Sequence, residues 1–310
     1  MRWHQAKNRE RVTVAHRFYA AAGTLVCAMA VFFAMLGCNM RSKEQQREID
    51  AIKARVMHDP SSADIDDGSG TPLDYAVLNN YMELAEWLLE HGANVNARNR
   101  REETALHWAV ISDRSPDQKM IRFLLKKGAD INATREYQET PLHSAAYLGL
   151  GSVAKTLIER GANVNARSGR GETPLHLASC PTGYPEIVEL LLAAKADIEA
   201  KQNNGATALH QAVLAGAEPV VVVLLAKGAD PNSKNQAGWT PLHYAAAGGR
   251  SVIAERLLSG RADANAIDSA GHTPLWIALN APAVTVTAQG SKPVDTAAVA
   301  EMLRQHGATD

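Results

Sequence analysis

Five histidines recur at matched places along the chain: His107, His143, His176, His210 and His243. Imidazole ligates metals and carries protons near neutral pH, so such an array could bind zinc or relay protons. Spacing argues against a shared ion. Successive members stand 33 to 36 residues apart, each in its own copy of a recurring segment. Packed helical units lie ~10 Å apart, whereas zinc holds its nitrogens at ~2.0–2.1 Å. No metal ligand set is therefore expected.

Other reactive residues are few. Cys27, Cys38 and Cys180 are too few for a disulfide framework, and there is no C-x-x-C. Spacing suggests no His-Asn partner for Cys180, which reads as an ordinary small residue. Asn132-Ala133-Thr134 is a formal glycosylation sequon buried in a recurring Asn-Ala stretch. No Walker-type glycine loop, H-E-x-x-H or G-x-S-x-G is present. The carboxylates are scattered, with no pair marked for acid–base work. The expectation is no catalytic residue, no cofactor and no small-molecule substrate. A net charge of −1 leaves no footprint for nucleic acid. With 46% hydrophobic residues the chain has ample material for a core.

Cys38 stands in a distinctive setting. Arg2, Lys7, Arg9, Arg11 and Arg17 precede an uncharged run from Phe18 to Cys38, and the polar stretch Arg41–Arg47 follows. A basic flank, an apolar run and a polar stretch read as an export signal or a membrane anchor. About 20 helical residues cover the hydrocarbon core, so an uncleaved spanning helix is one outcome. The other follows from Met35-Leu36-Gly37-Cys38, which resembles a bacterial lipoprotein signal, in which cleavage before the Cys is followed by lipidation of its thiol. Either outcome leaves the rest of the chain membrane-held and extracytoplasmic, on the periplasmic side of a bacterium.

The elements that carry the histidines are repeats. Thr71-Pro72-Leu73 recurs at Thr104, Thr140, Thr173, Thr207, Thr240 and Thr273, at intervals of 33, 36, 33, 34, 33 and 33. An apolar pair and then Gly-Ala-Asp/Asn follow in most copies, as in Leu124-Leu125…Gly128-Ala129-Asp130. The distance from that Gly position to the next Thr is 12 in all six cases. All length variation lies between Thr and Gly: near Ser112–Asp117, near Cys180–Tyr184 and, most of all, around Ala281–Thr296. Thr before Pro or Ala suits a helix N-cap. Gly suits a left-handed helix end, so Lys195 and Arg261, which stand in its place, mark softer junctions. The Leu pairs are expected on the buried face of a second helix.

This T-P-L-H…L-L-x-x-G-A-D pattern resembles the ankyrin repeat family over about residues 63–310. The resemblance implies an all-α solenoid of seven helix-turn-helix units linked by β-hairpin fingers. Residues 1–38 form the signal or anchor, and 39–62 a linker and degenerate capping helix placed at Arg47–His58. The resemblance also implies that each histidine joins a hydrogen-bond network between adjacent units. Asp74 and Trp276 replace it in the end units.

It further implies a protein partner, received on the concave face of first helices and finger tips. The residue four after the motif Thr lies there: Tyr75, Trp108, Ser144, Leu177, Gln211, Tyr244 and Ile277. Three aromatics among seven are enriched in a chain with 5% aromatics. Tyr137 and Trp239 add to the fingers, and Tyr147 to its first helix. These aromatics read either as interface anchors or as packing between helices. Finger cations, among them Arg98, Arg101, Arg135, Arg167, Arg170, Lys201 and Lys234, would suit an acidic partner. The function expected is a membrane-tethered protein-binding scaffold. The alternative is a structural or protective envelope lipoprotein, for example one that neutralises a secreted toxin.

Overall fold

The computed structural model describes residues 43–310 apart from 69, 114–117, 181–182, 281–283, 288–289, 294 and 310. The apolar run and Cys38 lie outside the described residues. Among the described residues, no helix is long and apolar enough to cross a membrane.

A capping helix α1 (Lys43–His58) opens the described chain, beginning four residues before the expected Arg47, and a short 3-10 turn (Pro60–Asp64) follows. Seven helix pairs come next. They are α2 and α3 (Pro72–Leu78, Met82–Glu90), α4 and α5 (Ala105–Ser112, Lys119–Lys126), and α6 and α7 (Pro141–Tyr147, Gly151–Glu159). Then come α8 and α9 (Pro174–Ala178, Pro185–Ala193), α10 and α11 (Ala208–Ala215, Glu218–Ala226), and α12 and α13 (Pro241–Ala247, Ser251–Ser259). The last pair is α14 (Pro274–Asn280) and α15 (Thr296–Gln305).

One continuous core runs through the stack. The motif leucines Leu73, Leu106, Leu142, Leu175, Leu209, Leu242 and Leu275 are buried, and so are the alanines three residues on. Small alanines let consecutive first helices approach closely. From the second helices, Leu88, Leu124, Leu157, Leu191, Leu224 and Leu257 are fully buried. The second member of each pair is not. Leu89, Leu125, Leu192, Leu225 and Leu258 are half-buried against the core, because each helical residue turns about 100° from the last. This corrects the expectation that both leucines of a pair face inward.

Helix ends follow the sequence. Gly92, Gly128, Gly161 and Gly228 adopt φ of +95°, +91°, +90° and +92°, and Lys195 and Arg261 adopt +69°. The two non-glycine residues keep the same cap: Ala196 N–H donates to Leu191 O and Ala262 N–H to Leu257 O, each at 2.9 Å. Their strain is tolerated because the cap bond is retained.

The fingers between units are tight turns; no strand is assigned in them among the described residues. Each closes on two backbone bonds, such as Ser168 N–H to Glu172 O and Gly171 N–H to Ser168 O, both at 2.8 Å. Neighbouring fingers join through their tips, as in Gly169 N–H to Tyr137 O and Asn203 N–H to Arg170 O. Finger bases join through amide side chains. Asn132 accepts from Asn163 N–H, Asn165 from Asp197 N–H and Asn232 from Asp263 N–H, at 2.7–2.8 Å. These cross-repeat rungs fix the finger at constant length, which explains the constant interval of 12. The turns between paired helices lie away from these finger rungs and can lengthen.

Both ends of the stack use the same rungs. Asp64 accepts from Asn94 N–H at 2.8 Å and Asp66 from Arg100 N–H at 2.7 Å, so the segment after α1 acts as the tail of a degenerate unit. At the other end, Thr309 N–H donates to Asn265 at 2.9 Å. Solenoids need such ends, since each unit buries its apolar face only against neighbours. The long insertion before α15 contributes one feature that the sequence reading did not include. Strands β1 (Val284–Thr287) and β2 (Gly290–Pro293) pair antiparallel, with Val284 opposite Pro293 and Thr287 opposite Gly290.

Candidate functional site

The recurrent histidines are placed by the first turn of each first helix, three residues after the capping threonine. In each, Nδ1 accepts the threonine N–H at 3.1–3.2 Å. Nε2 then carries the proton and donates to a carbonyl of the next finger, at 3.0–3.3 Å. The acceptors are Glu139, Glu172, Ala206, Trp239 and His272. Both nitrogens are therefore used within the chain, and the rings bridge units rather than hold an ion. Among the described residues, no group of three or more His, Cys, Asp or Glu could hold a metal ion. Burial lowers all five histidine pKa values, to about 4 for His107, His176 and His210. Charging a ring would desolvate a cation and break its acceptor geometry.

The end units solve the same problem differently. Asp74 accepts from Thr71 N–H at 3.0 Å and Thr71 Oγ1 accepts from Asp74 N–H at 3.1 Å. Burial raises the Asp74 carboxyl to about 7. Trp276 makes no return bond; its N–H donates to Thr273 Oγ1 and its ring stacks on His272 at 3.6 Å.

The residues expected to meet a partner fall into two groups. Tyr137 is 65% exposed at the third finger tip, and Tyr147 is 36% exposed at the end of α6. Tyr75, Trp108, Leu177, Trp239 and Tyr244 are half-buried against the core. Their polar atoms are partly spent. The Tyr75 hydroxyl donates to Glu48 of α1. Trp239 Nε1 donates to Asp268 at 3.1 Å, and its ring meets Tyr244 edge-on at 5.2 Å. Ser144 is buried and Ile277 nearly so, while Gln211 is half-buried. Each aromatic thus shows one edge and packs the other.

A second column escaped the sequence reading. Three residues beyond the first, Leu78, Ile111, Tyr147, Leu214 and Ala247 stand on the same helix face, since i and i+3 are neighbours, and Cys180 takes that place just past the end of α8. Leu78 and Leu214 are 48% and 55% exposed. Together the columns lay an apolar strip across successive first helices. The signal was available as i, i+3 apolar pairs such as Tyr75–Leu78 and Trp108–Ile111.

The finger cations are mostly engaged. Arg98 pairs with Glu102 at 3.6 Å, and Arg135 with Glu103 at 3.3 Å and Glu139 at 2.6 Å. Arg167, Lys201 and Lys234 each donate to a backbone carbonyl one repeat on. This basic column staples fingers together, which lowers its availability to an acidic partner. Arg101 and Arg170 occupy equivalent finger-tip positions, Arg101 half-buried and Arg170 exposed. Cys180 is half-buried, its thiol donates to Gln211 Oε1 at 3.4 Å, and burial pushes its pKa up to about 11. A protonated, hydrogen-bonded thiol is a poor nucleophile.

Capped helix pairs stacked through short fingers define a helical repeat solenoid. A family model described as ankyrin repeats (3 copies) matches residues 75–168, 142–235 and 219–286. The chain belongs to the ankyrin repeat family. Among solved structures it is similar to the ankyrin repeat domain of Bcl-3, described as a unique member of the IkappaB protein family. That similarity carries 28% identity and a TM-score of 0.61, over 68% of this chain and 95% of that one. Ankyrin repeats are generally protein–protein interaction modules.

Proposed function

We propose that this chain is a protein-binding scaffold that receives its partner on the first-helix and finger-tip face. The chain is held at a membrane by its amino-terminal segment, with the repeats on the extracytoplasmic side. The observation that carries the binding half is the apolar strip of Tyr75, Trp108, Leu177, Tyr244, Leu78, Tyr147 and Leu214, with Tyr137 and Arg101 above it on the fingers. Exposed and half-exposed aromatics on a rigid face are the usual anchors of an interface.

The tether rests on the uncharged run from Phe18 to Cys38 and its basic flank. Mass spectrometry of the amino terminus of the membrane-extracted protein tests it. A lipid-modified Cys38 supports the lipoprotein form, and an intact Met1 in a membrane-extracted chain supports the spanning helix. A soluble chain with neither removes the tether. Exchange of Tyr147 and Leu214 for serine tests the binding face.

A further inference from the structure

Beneath the finger tips of the fourth and fifth units lies an open cavity of about 400 Å³, lined by Gly169, Arg170, Glu172, Gln202, Asn203, Asn204 and Gln211. Its carboxylate belongs to a row. Glu103, Glu139 and Glu172 precede the capping threonine in three consecutive units. Arg135, four residues before Glu139 and one finger on from Glu103, binds both. The corresponding places beside Glu172 are Ser168 in its own finger and Gln202 in the next, and neither carries charge. Among the described residues, no cation lies within ion-pair distance of Glu172. Burial raises its pKa, and Arg170 at longer range and the Ser168 hydroxyl only partly offset this.

Two amides complete the site. Gln202 is 7% exposed, yet it lines the cavity and its side chain makes no hydrogen bond within the described chain. In the fingers that carry Asn, Asp or Ser there, that position folds back on its own turn: Asn235 Oδ1 accepts from Ala237 N–H and from Trp239 N–H, both at 2.9 Å. In this finger Asn204 accepts from Ala206 N–H instead, which leaves Gln202 free. Gln211 Oε1 takes the Cys180 thiol, and Gln211 also lines the cavity.

We infer that this cavity receives an arginine side chain of the partner protein, its guanidinium bridging Glu172 and the Gln202 amide oxygen as Arg135 bridges Glu139 and Glu103. A planar guanidinium with five N–H donors fits a carboxylate flanked by amide oxygens. Arg170 on the rim is the one opposing charge, and it gives the inference a second sign to test. This site rests on the reading of the same face as a protein-binding surface.

The test uses a randomised dodecapeptide display library selected against the full chain. Selected peptides are expected to carry arginine at one fixed position. Replacing that arginine by citrulline, its neutral isostere, or making Glu172→Gln, should each weaken binding by about tenfold, the size of one partly buried charge pair. The two changes together should cost little more than either alone. Arg170→Gln should tighten binding. Thermal melts confirm that both variants fold. Binding that depends on Tyr147 and Leu214 but ignores Glu172 and citrulline overturns the arginine site and leaves the scaffold reading intact. Selection of acidic peptides lost on Arg170→Gln also overturns it. Peptides indifferent to Tyr147, Leu214 and Glu172 alike remove both readings.

Discussion

The Nε2–H of His143 donates to the backbone carbonyl of Glu172, one unit further along, at 3.1 Å. The same bond recurs from His107, His176, His210 and His243. Each imidazole therefore caps its own helix with one nitrogen and holds the next finger with the other. In this instance the finger it holds is the one that presents Glu172 to the cavity.

This ladder makes the fold sensitive to acid. An unfolded imidazole titrates near 6.5, and folded His107, His176 and His210 near 4. Above about pH 6.5 both states are neutral and the contribution is complete. As pH falls from 6.5 to 4, only the unfolded chain takes up these protons, so stability declines by up to about 1.4 kcal/mol per pH unit for each ring. Below about 4 the loss is finished. Asp74 acts oppositely: its folded carboxyl is raised from 3.8 to about 7, so its contribution falls as pH rises through that window. One carboxyl does not cancel five rings with lowered pKa. Urea midpoints should hold between pH 7.5 and about 6.5 and then fall towards pH 4.5, and a flat profile down to 4.5 would refute the ladder.

Within each Leu pair the two members are unequal. Leu124→Ala and Leu224→Ala remove fully buried side chains and should cost about 2–5 kcal/mol. Leu125→Ala and Leu225→Ala, half-buried, should cost clearly less. Chemical denaturation of the four variants checks this, and equal losses would contradict the register.

Much of this was legible in the chain. The period of Thr-Pro-Leu-His, the fixed interval of 12 and the glycine ends located all seven units, because each is a local rule of capping or turn chemistry. The buried member of a Leu pair was not legible, because two adjacent apolar residues look alike until a helix phase is fixed. Nor was the state of Trp239 and Tyr244, whose packing on each other depends on how the finger folds against the first helix of its own unit. The hairpin β1–β2 left a weaker trace, the β-branched alternation Val284-Thr285-Val286-Thr287. Glu172 looked like any finger carboxylate, since its distinction lies in what Ser168 and Gln202 fail to supply.

Lys195 and Arg261 carry strain that glycine would relieve. Both sit at φ +69° where other units use glycine near +90°. Lys195→Gly and Arg261→Gly should each stabilise by up to about 1 kcal/mol, the left-handed cost less the added freedom of the unfolded chain. Differential scanning calorimetry should show raised midpoints. Lowered midpoints in both variants would show that these side chains stabilise the junctions.

The binding face is tested most directly by comparing two double variants of the full-length protein in affinity capture from its own membranes. Tyr147→Ser with Leu214→Ser removes exposed apolar groups from the first-helix strip, while Val222→Ser with Val252→Ser removes comparable groups from the second helices. A protein captured through the first-helix face should be lost with the first pair and retained with the second. Retention with the first pair and loss with the second would place the interface on the opposite side and contradict that assignment.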